Sequence, residues 1–450
     1  MLKRKIRSFI LDHLSGNNNK ILVIDGARQI GKSFIIRDVA HELFPNVIEI
    51  DFVKDKNGPR IFEHATTTDE FYFRLSTIAG EKMGGTKADT LVFLDEIQAY
   101  PHLLTMLKFL REEGRYTYIA SGSLLGVTLR STTSVPVGSI LIKHMYQLDF
   151  EEFLWANGFS EDAVAFLNQK FDACESLDEE MHFRLLDLFK KYLLVGGLPD
   201  AVNEFVSSRN MVEVRAIHEA IHHLYGIDAA QYDEEHKLQI ARIYNMIPSL
   251  MANKKKRVVF KDIDGKDYRR SNDYRDELDY IISSGIALDV KAISAPVFPL
   301  KESESKNLLK LYMNDVGLLT HALYKYNIDA VMNDRCSVNL GSVYESVVAS
   351  ELKAHGIEQL FYYDNKARGE VEFILDDYDN TSILPIEVKS GKDYTIHRAL
   401  NNFLTNPLYK VHRAYVLSNA REITRKDFIT YMPIYFTMFI KENPPEKLII

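Results

Sequence analysis

The sequence predicts an α/β chain that opens with a doubly wound parallel sheet and continues through a helical region into a winged-helix-like module and a second α/β domain. Three observations carry this prediction. The first 150 residues alternate β-rich and helix-spaced segments, a glycine loop joins the first strand to the first helix, and the pattern turns helical after Phe150 before strands return near residue 335. The expected segments are 1–149, 150–237, 238–334 and 335–450. No internal repeat or low-complexity tract interrupts them.

Taken in order, MLKRKIRSFILDHL reads as an amphipathic helix with Ile6, Phe9 and Ile10 on one face. KILVIDG (20–26) is a strand entering a glycine turn, residues 32–44 have helical spacing, and VIEIDF (47–52) is the next strand. DEFYFRLSTIAG follows as a helix, then TLVFLDE (90–96) and YTYIAS (116–121) as strands. In the helical region, Gly196, Gly197 and Pro199 end a helix at LVGGLPD. Beyond residue 238 come a helix, the basic run KKKR (254–257), a strand VVF, a turn at DIDGKD, the helix YRRSNDYRDELDYIISSG and the strand IALDV, the order of a winged helix. The last segment reads as a helix (343–355) with strands LFYYD, EVEFIL, ILPIEVKS and AYVLS.

Composition bounds the function. Hydrophobic residues are 46% and charged residues 26% of 450, a globular balance with ample material for several cores. No run approaches the roughly 18 apolar residues of a membrane span, and the basic N-terminus lacks a cleavage site, so a cytoplasmic protein without a membrane partner is expected. Cys174 and Cys336 are too few for a disulfide framework or a metal knuckle. A net charge of −8 argues against a generally basic nucleic-acid coat and leaves only local docking.

The chemistry is concentrated in Gly26-Ala27-Arg28-Gln29-Ile30-Gly31-Lys32-Ser33, which fits G-x-x-x-x-G-K-[ST] directly after a strand and at the start of a helix. Its backbone N–H groups and helix N-terminus suit phosphates. Lys32 would reach the β- and γ-phosphates, Ser33 would complete a Mg²⁺ shell, and Phe34 follows within the nucleotide contact. ATP and Mg²⁺ are the expected ligands. In LVFLDEIQ, four apolar residues lead to Asp95 and Glu96 at a strand's carboxyl end, where Asp95 would hold Mg²⁺ and Glu96 would act as general base. The 62 positions from Ser33 to Asp95 leave room for an inserted helix–strand–helix, the layout of the ATPase branch of P-loop proteins. Ser121, then Ser123, are candidate γ-phosphate sensors in SGS, with capping of the next turn as the alternative.

GARQIGKS, LDEIQ, SGS, QLDFEEFL, YLLVGGLP, KLYMNDVGLL and EVEFIL…PIEVKSG appear in that order. The chain resembles the bacterial and archaeal AAA-type ATPases that carry a C-terminal DUF4143-type domain, related to the archaeal ATPase family. The resemblance implies an ATPase core, a helical region, a winged helix and a C-terminal domain like the PD-(D/E)xK nucleases. Where many members have Gly-Arg this chain has SVPVGSI (134–140), which leaves Arg111, Arg115 and Arg130 as unranked arginine-finger candidates.

At the C-terminal end, Glu372 and the Glu387-Val388-Lys389 triplet match the first acid and the (D/E)-x-K pair of such a nuclease centre. Strand alternation puts Glu387 and Lys389 on one side, and Glu345 on the preceding helix offers a further metal ligand. The related family usually has Asp at the place of Glu372, so a Glu–Lys pair in an inactive fold is the preferred reading over cleavage. From 254 to 277 nine basic residues face six acidic ones, a balance suited to DNA phosphates or to a solvated interdomain face. His218, His222 and His223 read as a polar helix face, and Trp155 as a core anchor. Three functions compete: an ATP-driven switch, an ATP-gated DNA-binding regulator and an ATP-licensed nuclease. A homo-oligomer is compatible with each.

Overall fold

The computed structural model describes residues 1–16, 18–123, 138–231, 237–253, 256–265, 270–333, 340–365, 369–391, 395 and 397–442. Arg130, residues 134–137, Lys254, Lys255, Lys266, Arg269 and Cys336 lie outside them. The chain divides into two compact units, residues 3–146 with 283–286, and residues 147–282 with 287–450.

The first unit begins with α1 (Lys5–Ser15), whose buried Ile6 and Ile10 form the expected apolar face. Then come β1 (Ile21–Asp25), α2 (Lys32–Leu43), β2 (Asn46–Asp51), α3 (Phe52–Asn57), α4 (Thr68–Ala79), β3 (Thr90–Asp95), α5 (Pro101–Glu113), β4 (Thr117–Gly122) and β5 (Ile140–His144). The strands form one parallel sheet in the order β2-β3-β4-β1-β5. Strand β4 lies between β1 and β3, so the strand that feeds the glycine loop and the strand that ends in Asp95 are not neighbours. All six residues of β3 are buried, as expected for a strand covered on both faces. One core cluster on this sheet gathers Val23, Ile48, Phe52, Phe71, Val92 and Leu104.

The second unit starts with α6 (Phe150–Ala156), α7 (Glu161–Asp172), α8 (Glu179–Val195), α9 (Pro199–Ser208), α10 (Met211–Gln231) and α11 (Lys237–Ala252). Four of the first unit's and second unit's helices, α4, α6, α7 and α8, are capped by Thr67, Asp149, Ser160 and Asp178, whose side chains accept an N–H of the first turn. A single turn at Lys261–Asp264 then leads to α12 (Arg275–Ser283), β6 (Ala287–Ile293), β7 (Glu304–Met313) and α13 (Val316–Tyr324). The last elements are α14 (Gly341–Ala354), β8 (Leu360–Asn365), β9 (Gly369–Asp377), β10 (Ser382–Val388), α15 (Arg398–Leu404), β11 (Ala414–Ser418), β12 (Thr424–Lys426) and β13 (Ile429–Pro433).

Here the structure departs from the expected segments. The hairpin β6–β7, which the winged-helix reading kept apart, joins the C-terminal strands through parallel pairing of β6 with β8, giving an eight-stranded sheet in the order β12-β13-β11-β10-β9-β8-β6-β7. No fold boundary therefore separates 238–334 from 335–450. VVF is not a strand; one bridge, Arg257 to Lys310, stands in its place. The helix expected from Tyr268 is α12, beginning at Arg275 after a 3-10 turn at Ser271–Tyr274.

Candidate functional site

The glycine loop of the first unit is built as its motif requires. Gly31 has φ 90° as the residue that caps α2, a left-handed conformation open to glycine at little cost. Lys32 is buried, and its Nζ donates to the carbonyls of Gly26 at 2.9 Å and Ala27 at 2.7 Å. Burial pulls its pKa below the ordinary lysine value, while Glu96, Asp95 and Asp25 oppose that shift. Ser33 Oγ donates to Asp95 Oδ1 at 3.0 Å, and Ser121 Oγ donates to the same oxygen. Phe34, next on α2, is 59% exposed.

Asp95 is 4% exposed. Burial raises its pKa against the pull of the Ser121 and Ser33 hydroxyls. Glu96 follows with φ 54°, a strained conformation for a side-chain-bearing residue and one that clusters at functional sites. Its Oε2 accepts from Ser123 Oγ at 2.9 Å and from Gln98 Nε2; Gln98 Nε2 also lies 3.3 Å from Ser123 Oγ. Arg28 Nε reaches Ser123 Oγ at 3.4 Å. Ser121 thus attaches to the metal-binding candidate and Ser123 to the candidate base. Sequence reasoning missed two participants. Gln98 stands two positions after the candidate base, and its part depends on the bond to Glu96 Oε2 that the fold brings about. Arg37, one turn beyond Ser33 on α2, has Nη2 3.8 Å from Asp95 Oδ2 and grips Glu49 with Nε and Nη2. Arg111, at the C-terminal end of α5, bonds Gly138 O, and Arg115 stacks on Tyr72 and Tyr116 just before β4. Arg115 precedes β4, and Arg111 reaches Gly138 just before β5, so both lie at the amino-terminal edge of the sheet, away from the glycine loop.

In the second unit, β9 and β10 pair antiparallel through Ile386 and Phe373, which sets Glu387 beside Glu372 on one face. Lys389 Nζ lies 2.5 Å from Glu387 Oε1, as strand alternation required. The Val388 N–H donates to Glu372 Oε2 at 3.2 Å. Burial first, then the neighbouring Glu387 and Glu345 charges, pushes the Glu372 carboxyl well above the ordinary value. Glu387 is 2% exposed, and its Oε2 finds no hydrogen-bond donor among the described residues. Two buried carboxyl groups side by side, one with an oxygen that meets no donor among the described residues, form a chemical set that fits a cation, which would offset their mutual repulsion.

Glu345 does not join that pair as a third ligand. Its Oε1 is held by Lys256, and its Oε2 faces Tyr312 OH at 3.3 Å and Lys310 Nζ at 3.9 Å. Among the described residues no three His, Cys, Asp or Glu side chains form a metal-binding group. Lys310, which sequence reasoning also missed, is fully buried, bonds Glu370 and stands 4.7 Å over the Tyr362 ring. Burial lowers its pKa, but Tyr312, Glu345 and Glu370 more than offset this and hold it above the ordinary lysine value.

The AAA domain family matches residues 18–154, a domain of unknown function, DUF8612, matches 186–328, and the domain of unknown function DUF4143 matches 340–437. The chain thus carries an AAA domain over residues 18–154 and a DUF4143 domain over residues 340–437. No curated protein matches it. Similar solved structures include the Walker-type ATPase PAby2304 of Pyrococcus abyssi, at 14% identity over 72% of this chain and 96% of that one with a TM-score of 0.45. The Aeropyrum pernix ORC1 protein in complex with DNA matches at 14% identity over 73% and 92%, with a TM-score of 0.28. The S. cerevisiae Hsp104–ADP complex matches at 15% over 56% and 36%, with a TM-score of 0.29.

Beyond the AAA domain, three further motifs of the sequence meet within the second unit. A Cβ on Gly197 would lie 1.9 Å from Leu148 O, so QLDFEEFL and YLLVGGLP pack backbone to backbone. Asp315 of KLYMNDVGLL accepts the Gly197 N–H at 2.7 Å and caps α13 through the Leu318 N–H at 3.0 Å. Gln147 donates to Asn314 O, and Tyr192 OH donates to Leu148 O at 2.8 Å. Two minor readings change here. His218 is fully buried and bonds Val195 O at 2.9 Å, with its pKa driven down to about 3 by burial and then by Arg215, so it is no part of a polar face. Trp155 is half-buried, and the neighbouring Phe153 is the core residue, packed on Tyr192 and Phe205. No described helix is long and apolar enough to cross a membrane.

Proposed function

We propose that this protein hydrolyses ATP at residues 26–33 and uses the cycle to drive its second unit. The contact of Ser33 with Asp95 supports this most directly, since a hydroxyl from the start of α2 and a carboxylate from the end of β3, drawn to one point, suit a shared Mg²⁺. Lys32 would leave its loop carbonyls for the phosphates, Ser33 and Asp95 would hold the metal, and Glu96 would take the proton of the attacking water. Ser121 orients Asp95, while Ser123 and Gln98 orient Glu96 and stand closest to where a γ-phosphate would be sensed. Nucleotide binding and turnover, measured on Lys32→Ala and Glu96→Gln, test the assignment.

A second reading concerns the Glu372–Glu387 pair. The orphaned Glu387 Oε2 favours a cation-holding centre over a purely structural Glu–Lys pair. A divalent cation there would supply Lewis-acid polarisation of a phosphodiester. Lys389 would hold Glu387 and face the water or phosphate. Loss of Mn²⁺-dependent DNA cleavage in Lys389→Ala would support this role, and uncut branched and single-stranded DNA with the wild type would leave binding alone. For DNA docking by the basic run, Lys256 already spends its charge on Glu345, so Arg257, Arg270 and Arg275 are the candidates for phosphate contacts among the described residues.

A further inference from the structure

We propose that Lys256 is a tethered cation that pairs with Glu345 next to the Glu372–Glu387 pair and so competes, through charge, with a divalent metal ion at that pair. The inference rests on the reading of Glu372 and Glu387 as a cation site. Four carboxylates, Glu345, Glu370, Glu372 and Glu387, meet three ammonium groups, Lys256, Lys310 and Lys389, in this centre. The three lysines are not equivalent. Lys310 is on β7 and its side chain is 1% exposed, locked between Glu370 and the Tyr362 ring. Lys389 directly follows β10, two residues from its partner Glu387. Lys256 lies outside any helix or strand, between α11 and the Arg257 bridge, and its side chain is 16% exposed. It is the lysine that can leave without breaking the sheet.

While Lys256 stays, Glu345 is neutralised, both of its oxygens are engaged, and the field at the Glu372–Glu387 pair is less negative. When Lys256 leaves, the buried Glu345 carboxylate loses that counter-charge next to the pair, and a divalent ion becomes the better one. Metal loading and lysine release are therefore linked, each favouring the other by the same factor. The centre's negative charge is thus held down by a lysine of the chain itself.

The test is Mn²⁺ binding by the full chain without nucleotide, followed by titration calorimetry and by the paramagnetic resonance of free Mn²⁺. Lys256→Gln is expected to bind Mn²⁺ at least about tenfold more tightly than the wild type, with the gain removed by adding Glu387→Gln. Lys256→Met, which keeps the apolar stem, gives the same comparison if the Gln variant unfolds early, and Lys256→Arg should behave as the wild type. A Glu387-dependent site of equal affinity in the wild type and both uncharged variants would overturn the lysine competition while leaving the cation site standing. No Glu387-dependent binding in any variant would overturn the cation site and the competition together.

Discussion

The Ser33 hydroxyl lies 3.0 Å from Asp95 Oδ1, although 62 positions of chain separate the two residues. The inserted strand β4 makes this meeting possible, because β1 and β3 flank it and end on the same edge of the sheet. Asp95→Asn keeps the shape and an oxygen for both serine contacts but removes the negative charge a metal would meet. The expected result is nucleotide binding that no longer tightens with Mg²⁺, read by fluorescent-nucleotide titration with and without the metal.

Ser123 touches Glu96 but not Asp95 among its described bonds, whereas Ser121 does the reverse. Ser123→Ala should therefore lower kcat about tenfold to a hundredfold with little change in KM, the signature of a disoriented base. Ser121→Ala should instead shift the Mg²⁺ concentration needed for half-maximal turnover. Steady-state kinetics at varied ATP and varied Mg²⁺ separate the two.

Gly197 has no space for a methyl group, since its Cβ would meet the Leu148 carbonyl at 1.9 Å. Backbone atoms on both sides make relaxation costly. Gly197→Ala should destabilise the second unit by about 3 kcal/mol or more and lower its melting transition in calorimetry.

Asp315 is fully buried, and burial raises its pKa to about 6 against the N–H donors of Gly197, Leu318 and Gly317. Because the folded value lies above the unfolded one of about 3.9, the folded state binds more protons in that interval. Stability from this group is complete at pH below about 4 and is lost as pH rises to about 6. In Asp315→Asn that slope should vanish, and the loss of one carboxylate acceptor should cost about 1–3 kcal/mol. Urea unfolding between pH 4 and 7 reads both effects.

Much of the first unit was legible from local chemistry. A glycine loop between a strand and a helix, and an apolar run ending in Asp95-Glu96, each fix position through short-range constraints. Gln98 and Arg37 were not legible as site residues, because their meaning depends on where Glu96 and Asp95 point once the sheet forms. In the second unit, strand alternation placed Lys389 beside Glu387, but the fate of Glu345 depended on Lys256, Lys310 and Tyr312, which are remote in sequence. The pairing of β6 with β8 was hidden for the same reason. No periodicity within a hairpin reveals which sheet it extends.

The most direct test of the ATPase assignment is turnover by Glu96→Gln beside the wild type, with nucleotide affinity measured on the same samples. The amide keeps the side chain's size but cannot accept a proton from water. Unchanged affinity with turnover reduced by about 10²–10⁴-fold is the expected result; equal turnover in the two proteins would contradict the assignment of Glu96 as the base.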